Sequence, residues 1–192
     1  MFVGSLDYTL FRSLNNLAGR SAWLDHAGAF LSNYSPYIVV ALLVVLWFWG
    51  KREHRTRNRQ SLIHAAIALL LGLLVAQLIG MVWYRPRPFL THHVHLLVAK
   101  AFDTSFPSVH ATSMFAIAVS VLLYNRKWGI GLLILAVAIS LDRVFVGLHY
   151  PGDITAGALI GTGLALALVP IRRWLERFTA VVQVAWSWLH LP

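Results

Sequence analysis

The chain has 192 residues, 58% of them hydrophobic and 12% charged, with a formal net charge of +9. A soluble domain carries about 25% charged residues, so the composition excludes an ordinary water-soluble fold and points to one membrane-embedded domain over residues 1–192. The lack of cysteine excludes disulfides, thiolate nucleophiles and cysteine metal sites.

Residues 1–22 place Leu6, Leu10, Phe11, Leu14 and Leu17 at helical spacing, with Arg12, Asn15, Asn16 and Arg20 between them. A span needs ~20 mainly apolar residues, so this segment reads as an interfacial amphipathic helix, with a short sixth span as the alternative. It lacks the basic start and short apolar core of a cleaved signal peptide. The first clear span lies within 27–49, with Ser35-Pro36 marking its start or a kink. Lys51 to Arg59 follows, with five basic residues in nine. The second span covers 61–83 and ends on Trp83 and Tyr84, aromatic residues that favour an interface. A polar loop occupies 85–107. The third span runs from Ser108 to Tyr124, followed by Asn125-Arg126-Lys127. The fourth covers 128–147. The fifth covers 151–171, carries the small-residue packing motif Gly157-x3-Gly161, and runs into the basic cluster Arg172 to Arg177. The tail, 178–192, holds Trp186, Trp188 and Leu189 and reads as a second interfacial helix.

Five alternating spans put all three basic clusters, ten Lys and Arg in total, on one side. That side is the cytoplasm by the positive-inside rule. Charge confined to such clusters is a topology signal, and no nucleic-acid partner is expected. The 85–107 loop and the 148–150 turn then share the opposite face. The expected fold class is all-α, a polytopic transmembrane helix bundle, because lipid admits only helices or closed barrels.

That face collects the residues suited to phosphate chemistry. Arg143 sits in an apolar run, where insertion of an arginine costs ~2.5–3.5 kcal/mol at a helix centre. Its neighbour Asp142 diverges by about 100° around a helix, so the two are not expected to neutralise each other. A structural ion pair elsewhere, or a snorkelling side chain, is the plainer role for Arg143. Pro86 and Pro88 stiffen the backbone around Arg87, whose planar fork suits bidentate phosphate binding. Arg85 reads as an interface charge or a secondary headgroup contact. Pro107-Ser108-Val109-His110 opens the third span, and a helix N-terminus is an anion site. Ser108 would cap it and donate to phosphate, and His110 is placed for general acid–base work. Asp153, four residues after His149, reaches one imidazole nitrogen if helical geometry extends that far, leaving the other nitrogen as a nucleophile. The plainer role for Asp153 is a carboxylate favoured by the helix N-terminus. His92, His93 and His95 are closely spaced but have no carboxylate or fourth ligand nearby, so neither a metal nor a cofactor is expected.

In order, Arg87-Pro88, Pro107-Ser108-x-His110 and Arg143-x5-His149-x3-Asp153 resemble the three-part signature of the type 2 phosphatidic acid phosphatase superfamily. The resemblance implies a metal-independent lipid phosphatase. Arg87 and Arg143 would bind phosphate, helped by Ser108, the backbone N–H of Val109 and, more remotely, Arg85. His110 would protonate the leaving group, and His149 would be the nucleophile, oriented by Asp153. Three positions depart from the pattern: Gly80 where a lysine is common, Val109 where glycine is frequent, and Asp142 where serine is usual. The wording Arg-Pro-Phe, Phe-Pro-Ser-x-His and Val-Gly-x-His-Tyr-Pro looks most like bacterial undecaprenyl-diphosphatases of the bacitracin-resistance type. That implies removal of the terminal phosphate of a polyprenyl diphosphate, through a phosphohistidine, at the extracytoplasmic face of the cytoplasmic membrane. Alternatives in the same chemistry are phosphatidylglycerol phosphate, phosphatidic acid or lipid A phosphate as substrate, or lipid phosphotransfer. A transporter is the alternative from another class.

Overall fold

The computed structural model describes residues 2–100, 102–171, 174 and 177, and every regular element among them is helical. In chain order these are α1 (Phe2–Asn15), α2 (Ala22–Phe48), α3 (Arg52–Val82), α4 (Pro88–Thr91), α5 (Val109–Leu122), α6 (Arg126–Phe145) and α7 (Pro151–Ala167), the last continued by a 3-10 turn at Val169–Ile171. Helices α2, α3, α6 and α7 with its continuation are long and apolar enough to cross a membrane. The expected third span, α5, is shorter than these. With 14 residues, α5 reaches only ~21 Å at 1.5 Å per residue, short of the ~30 Å hydrocarbon core. It forms the axis of the bundle, with Ala111, Ala116, Ala118 and Val121 fully buried.

The bundle is built on close approach of backbones. Ala65, Ala68, Ala76, Ala136 and Ala165 are buried, while Leu70, Leu74, Leu78, Ile134, Leu141 and Leu159 point outward. This follows from the solvent: lipid gives leucine no reason to hide, so helices associate through van der Waals packing of small residues. Gly157 and Gly161 serve the α5–α7 contact as their spacing suggests. A Cβ would fall 2.6 Å from the Ser108 carbonyl oxygen at Gly157 and 2.2 Å from that of Thr112 at Gly161.

The expected start of the first span moves from 27 to Ala22. Gly19, at φ +80, turns its N–H onto both carboxylate oxygens of Asp25 at 3.0 and 3.1 Å, which fixes the entry into α2. Pro36 lies inside α2 without ending it.

The first two basic clusters meet at one end of the bundle. There Asn125 donates to Asn58 at 2.9 Å, Asn58 donates to the Leu46 and Trp49 carbonyls, and the rings of Trp49 and Trp128 meet edge to face. The third basic cluster is only partly covered, and the expected C-terminal interfacial helix lies outside the described residues. At the other end α1 is docked rather than free on a surface. Leu6 and Leu10 are exposed, but Phe11 is buried against Ala111, Val144, Tyr150 and Ile154. Asn15 donates to the carbonyls of His95 and Phe145, both at 2.8 Å, and accepts from His95 N at 3.0 Å. Gly147 permits this clamp: its φ is +88, and a Cβ there would meet the His95 carbonyl at 2.8 Å.

Candidate active site

Loop, turn and helix start converge at the end opposite the basic clusters. A cavity of about 230 Å³ is lined by Arg87, Asp103, Thr104, Pro107, Val109, His110, Arg143, Leu148 and His149. The fold thus brings together five of the expected residues: Arg87, Val109, His110, Arg143 and His149. Ser108, Asp153 and Arg85 stand behind this wall.

His149 is held in one tautomer. Its Nδ1 lies 2.9 Å from the carbonyl oxygen of Ser105. A carbonyl only accepts, so Nδ1 carries the proton and Nε2 the lone pair. Nε2 faces Arg87 Nη1 at 3.1 Å. Burial disfavours the charged imidazole, and the Arg87 charge adds to this, so the pKa lies below the ordinary histidine value despite the opposing pull of Asp153 and the Ser105 carbonyl. With Nδ1 protonated, Nε2 accepts from Arg87 Nη1, and a neutral ring of this kind has the lone pair that a nucleophile needs.

Asp153 acts at one remove, which corrects the expected direct hydrogen bond. Its Oδ2 is 3.7 Å from His149 Nδ1, too long for one. Tyr150 is extended (φ −81, ψ 155) and caps α7, which begins at Pro151, so helical geometry never reaches His149. Instead Oδ2 accepts from Ser105 Oγ at 2.5 Å and from Tyr150 N at 2.9 Å. Ser105, fully buried, therefore links the carboxylate to the ring. Sequence reading missed it, although it stands two residues before Pro107 in a Ser-Phe-Pro-Ser run.

Arg85, expected as an interface charge or a secondary headgroup contact, is held by two carboxylates. Its Nη1 donates to Asp153 Oδ1 and its Nη2 to Asp7 Oδ2, both at 2.6 Å, and its guanidinium lies 4.2 Å from the Tyr150 ring centre. Burial works against its charge, yet the hydrogen bonds and charges of Asp7 and Asp153 prevail and raise its pKa. Asp7 also accepts from Gly152 N at 2.8 Å, fastening α1 to the start of α7. A lone acid between Leu6 and Leu10 on an amphipathic helix was the available signal for this contact. Asp7→Asn is expected to leave Arg85 drawing on Asp153 alone. It should lower kcat by on the order of tenfold, ~1.4 kcal/mol of transition-state stabilisation. It should also shift the acid limb of the pH–rate profile downward, because the field at His149 becomes more positive. An unchanged profile and kcat would show that Asp7 only docks α1.

Arg143 shows how the fold makes a cation usable. Its Nη2 donates to the carbonyl oxygen of Ser32. In a helix that carbonyl would take the N–H of residue 36, and residue 36 is proline. Pro36 therefore frees the acceptor that seats Arg143. The Nε of Arg143 is buried and makes no hydrogen bond. No ion pair joins Arg143 to Asp142 among the described residues. Asp142 turns toward Gly28 on α2, where a Cβ would come within 3.2 Å of its Oδ1.

Ser108 is fully buried and caps α5, accepting from Ala111 N at 3.4 Å, while its own N–H goes to the Asp153 carbonyl at 3.1 Å. Its hydroxyl is not among the cavity groups, whereas Val109 and His110 of the first turn are. Gly80 packs against Thr104, whose methyl would lie 2.8 Å from an added Cβ, so this loop closes over the position where the resembling family commonly has a lysine. The ring of His92 stacks on Tyr8 with centroids 3.9 Å apart.

The site also has an apolar neighbour. A cavity of about 270 Å³ shares Val109 and His110 with it and continues along Pro36, Val39, Met114 and Ile139. A further cavity of about 290 Å³ shares Val40, Leu43, Leu69 and Ile117 with that one and ends near Trp47. From Pro36 to Trp47 the groove follows α2 for ~16 Å at 1.5 Å per residue.

Comparison with known proteins places this geometry. The model of a family described as the PAP2 superfamily matches residues 61–177, a range that holds the cavity residues but not Asp7. The chain is 33% identical over 155 residues to undecaprenyl-diphosphatase BcrC of Bacillus subtilis, covering 81% of this chain and 78% of that protein. The crystal structure of Aquifex aeolicus LpxE is similar with a TM-score of 0.67 and 27% identity, over 84% of this chain and 93% of that one. The fold is also shared with a transmembrane PAP2 type phosphatidylglycerolphosphate phosphatase from Bacillus subtilis, at a TM-score of 0.62 and 20% identity, over 92% of this chain and 89% of that one.

Proposed function

The chain belongs to the PAP2 superfamily, and from that premise we propose that it is an integral-membrane phosphatase removing the terminal phosphate of undecaprenyl diphosphate, through a phosphohistidine, at the extracytoplasmic face. The observation that carries this reading is the lone pair of His149 Nε2, 3.1 Å from Arg87 in a cavity shared with Arg143 and His110.

In the first step Nε2 attacks the terminal phosphorus and the bond to the bridging oxygen breaks. The pKa of His110 is pushed down to about 3 by burial and by the charges of Arg143, His149 and Arg87, and the ring takes up a proton as the diphosphate brings its negative charge into the site. It gives that proton to the bridging oxygen, and lipid monophosphate leaves. Arg87, Arg143 and the N-terminus of α5 stabilise the charge on the equatorial oxygens. The Nε2–P bond makes the ring cationic while Nδ1 keeps its proton. The Ser105 carbonyl at 2.9 Å and the Asp153 carboxylate at 3.7 Å favour that cation. In the second step His110 takes a proton from water, the water oxygen bonds to phosphorus, and the P–N bond breaks. No step requires a metal.

The apolar groove supports a lipid substrate. It begins at His110, where the leaving group must sit, and descends beside α2 into the bundle. Basic residues at the opposite end support an extracytoplasmic site. The direct test is turnover by the purified chain in detergent on undecaprenyl diphosphate, phosphatidylglycerol phosphate and phosphatidic acid, with and without chelator. The expected outcome is preference for the diphosphate and indifference to chelation. Preference for a monoester would move the substrate reading within the family, and strong inhibition by chelator would revive a metal site. Val40 is exposed and lines both parts of the groove. Val40→Trp is therefore expected to raise KM for undecaprenyl diphosphate severalfold while leaving that for a short prenyl diphosphate within twofold. An equal effect on both would place the tail elsewhere.

A further inference from the structure

One cavity residue has a charge opposite to what phosphate binding asks for. Asp103 lines the site beside Arg87, His110, Arg143 and His149. Its Oδ1 accepts from Arg87 Nη2 at 2.7 Å and from Nε at 3.1 Å. Arg87 Nη1 is turned the other way, toward the Leu148 carbonyl and His149 Nε2. The Nε–Nη2 edge, which forms two parallel hydrogen bonds to a phosphate, already holds one carboxylate oxygen, and Nε also meets the Asp103 main-chain carbonyl at 3.3 Å.

We propose that Asp103 is a tethered competitor for the phosphate seat on Arg87, holding it in the empty enzyme, giving way to the incoming phosphoryl group, and returning as phosphate leaves. This rests on the phosphatase reading and adds a device that reading does not contain. The two partners differ in the way such an exchange needs. Arg87 is buried at 5% exposure and stays, whereas the Asp103 side chain is 67% exposed and can turn into water. A buried guanidinium without a counterion is costly, so the carboxylate keeps Arg87 paired between turnovers. Two anions cannot use one edge at once, so substrate binding exchanges one for the other.

Displacement imposes a characteristic pattern on affinity. When only a fraction of the site is open, every ligand loses affinity by that same fraction. Removing the competitor should therefore strengthen inorganic phosphate and lipid diphosphate equally. It should lower KM, and leave kcat unchanged or lower it as product release slows.

The experiment uses the full chain in detergent, as wild type, Asp103→Asn and Asp103→Ala. Inorganic phosphate binding is read by tryptophan fluorescence and by inhibition of turnover, beside KM and kcat for the diphosphate. The expected result is phosphate binding tighter by on the order of tenfold in both variants, with a matching fall in KM. Weaker or unchanged phosphate binding with a raised KM would overturn the proposal, because Asp103 would then only position Arg87. A shift that grows with ligand charge would also overturn it, since the carboxylate would be acting through space without leaving its seat. Phosphate binding is measured without turnover. Tighter phosphate binding in a chain that hydrolyses no lipid diphosphate would support the competitor while removing the proposed substrate.

Discussion

His149→Ala is expected to lower turnover by roughly 10⁴-fold or more, because a nucleophile that forms a covalent intermediate has no substitute within the site. Brief incubation of the wild-type enzyme with a radiolabelled diphosphate should capture acid-labile, base-stable phosphate on the protein, and the variant should capture none. The geometry makes a second demand on the same residue. Burial and the Arg87 charge hold its pKa below the ordinary histidine value, which is about 6.5. The sign follows: protonation removes the lone pair, so the neutral nucleophile persists as pH falls to 6.5 and the acid limb of kcat/KM lies lower still. A limb at pH 7 or above, or labelling that survives in His149→Ala, would contradict the assignment.

His110→Ala should cost roughly 10²–10⁴-fold, the usual share of a general acid–base group. Its signature differs from that of His149. His110 serves twice in the proposed sequence, protonating the leaving oxygen and then deprotonating water. With an activated leaving group such as p-nitrophenolate the first role is dispensable and the second is not. His110→Ala should therefore form phosphoenzyme from p-nitrophenyl phosphate at a near-normal rate and accumulate it, while His149→Ala forms none. If neither variant carries label and both lose activity alike, His110 supports the site without handling protons. The cavity geometry favours the proton role, since His110 stands where the polar cavity meets the apolar groove, at the boundary between phosphate and lipid.

Much of this was legible in the chain because the bilayer makes sequence unusually informative. An apolar run long enough to span has few alternatives to a helix, and basic clusters at alternate ends fix which ends lie together. Those two facts bring Arg87, His110 and His149 to one face before any contact is known. The Gly157-x3-Gly161 spacing likewise declares a close helix contact, though not its partner, which proves to be α5. The short α5 still joins the end that holds His110 to the end where Asn125 meets Asn58, which is the path expected of the third span.

The residues that refine the site were not legible, and the reason is the same in each case: they act across long sequence separations through polar atoms. Asp7 meets Arg85 and Gly152. Ser105 joins His149 to Asp153. The Ser32 carbonyl, released by Pro36, receives Arg143. Composition, periodicity and charge placement determined a helical membrane protein with Arg87, His110 and His149 at one end, because lipid penalises every other arrangement. Only the tertiary structure decided which carboxylate holds which arginine. That choice turns on distances of 2.6 to 3.1 Å between side chains far apart in the chain or in one loop, and no spacing along the chain encodes them.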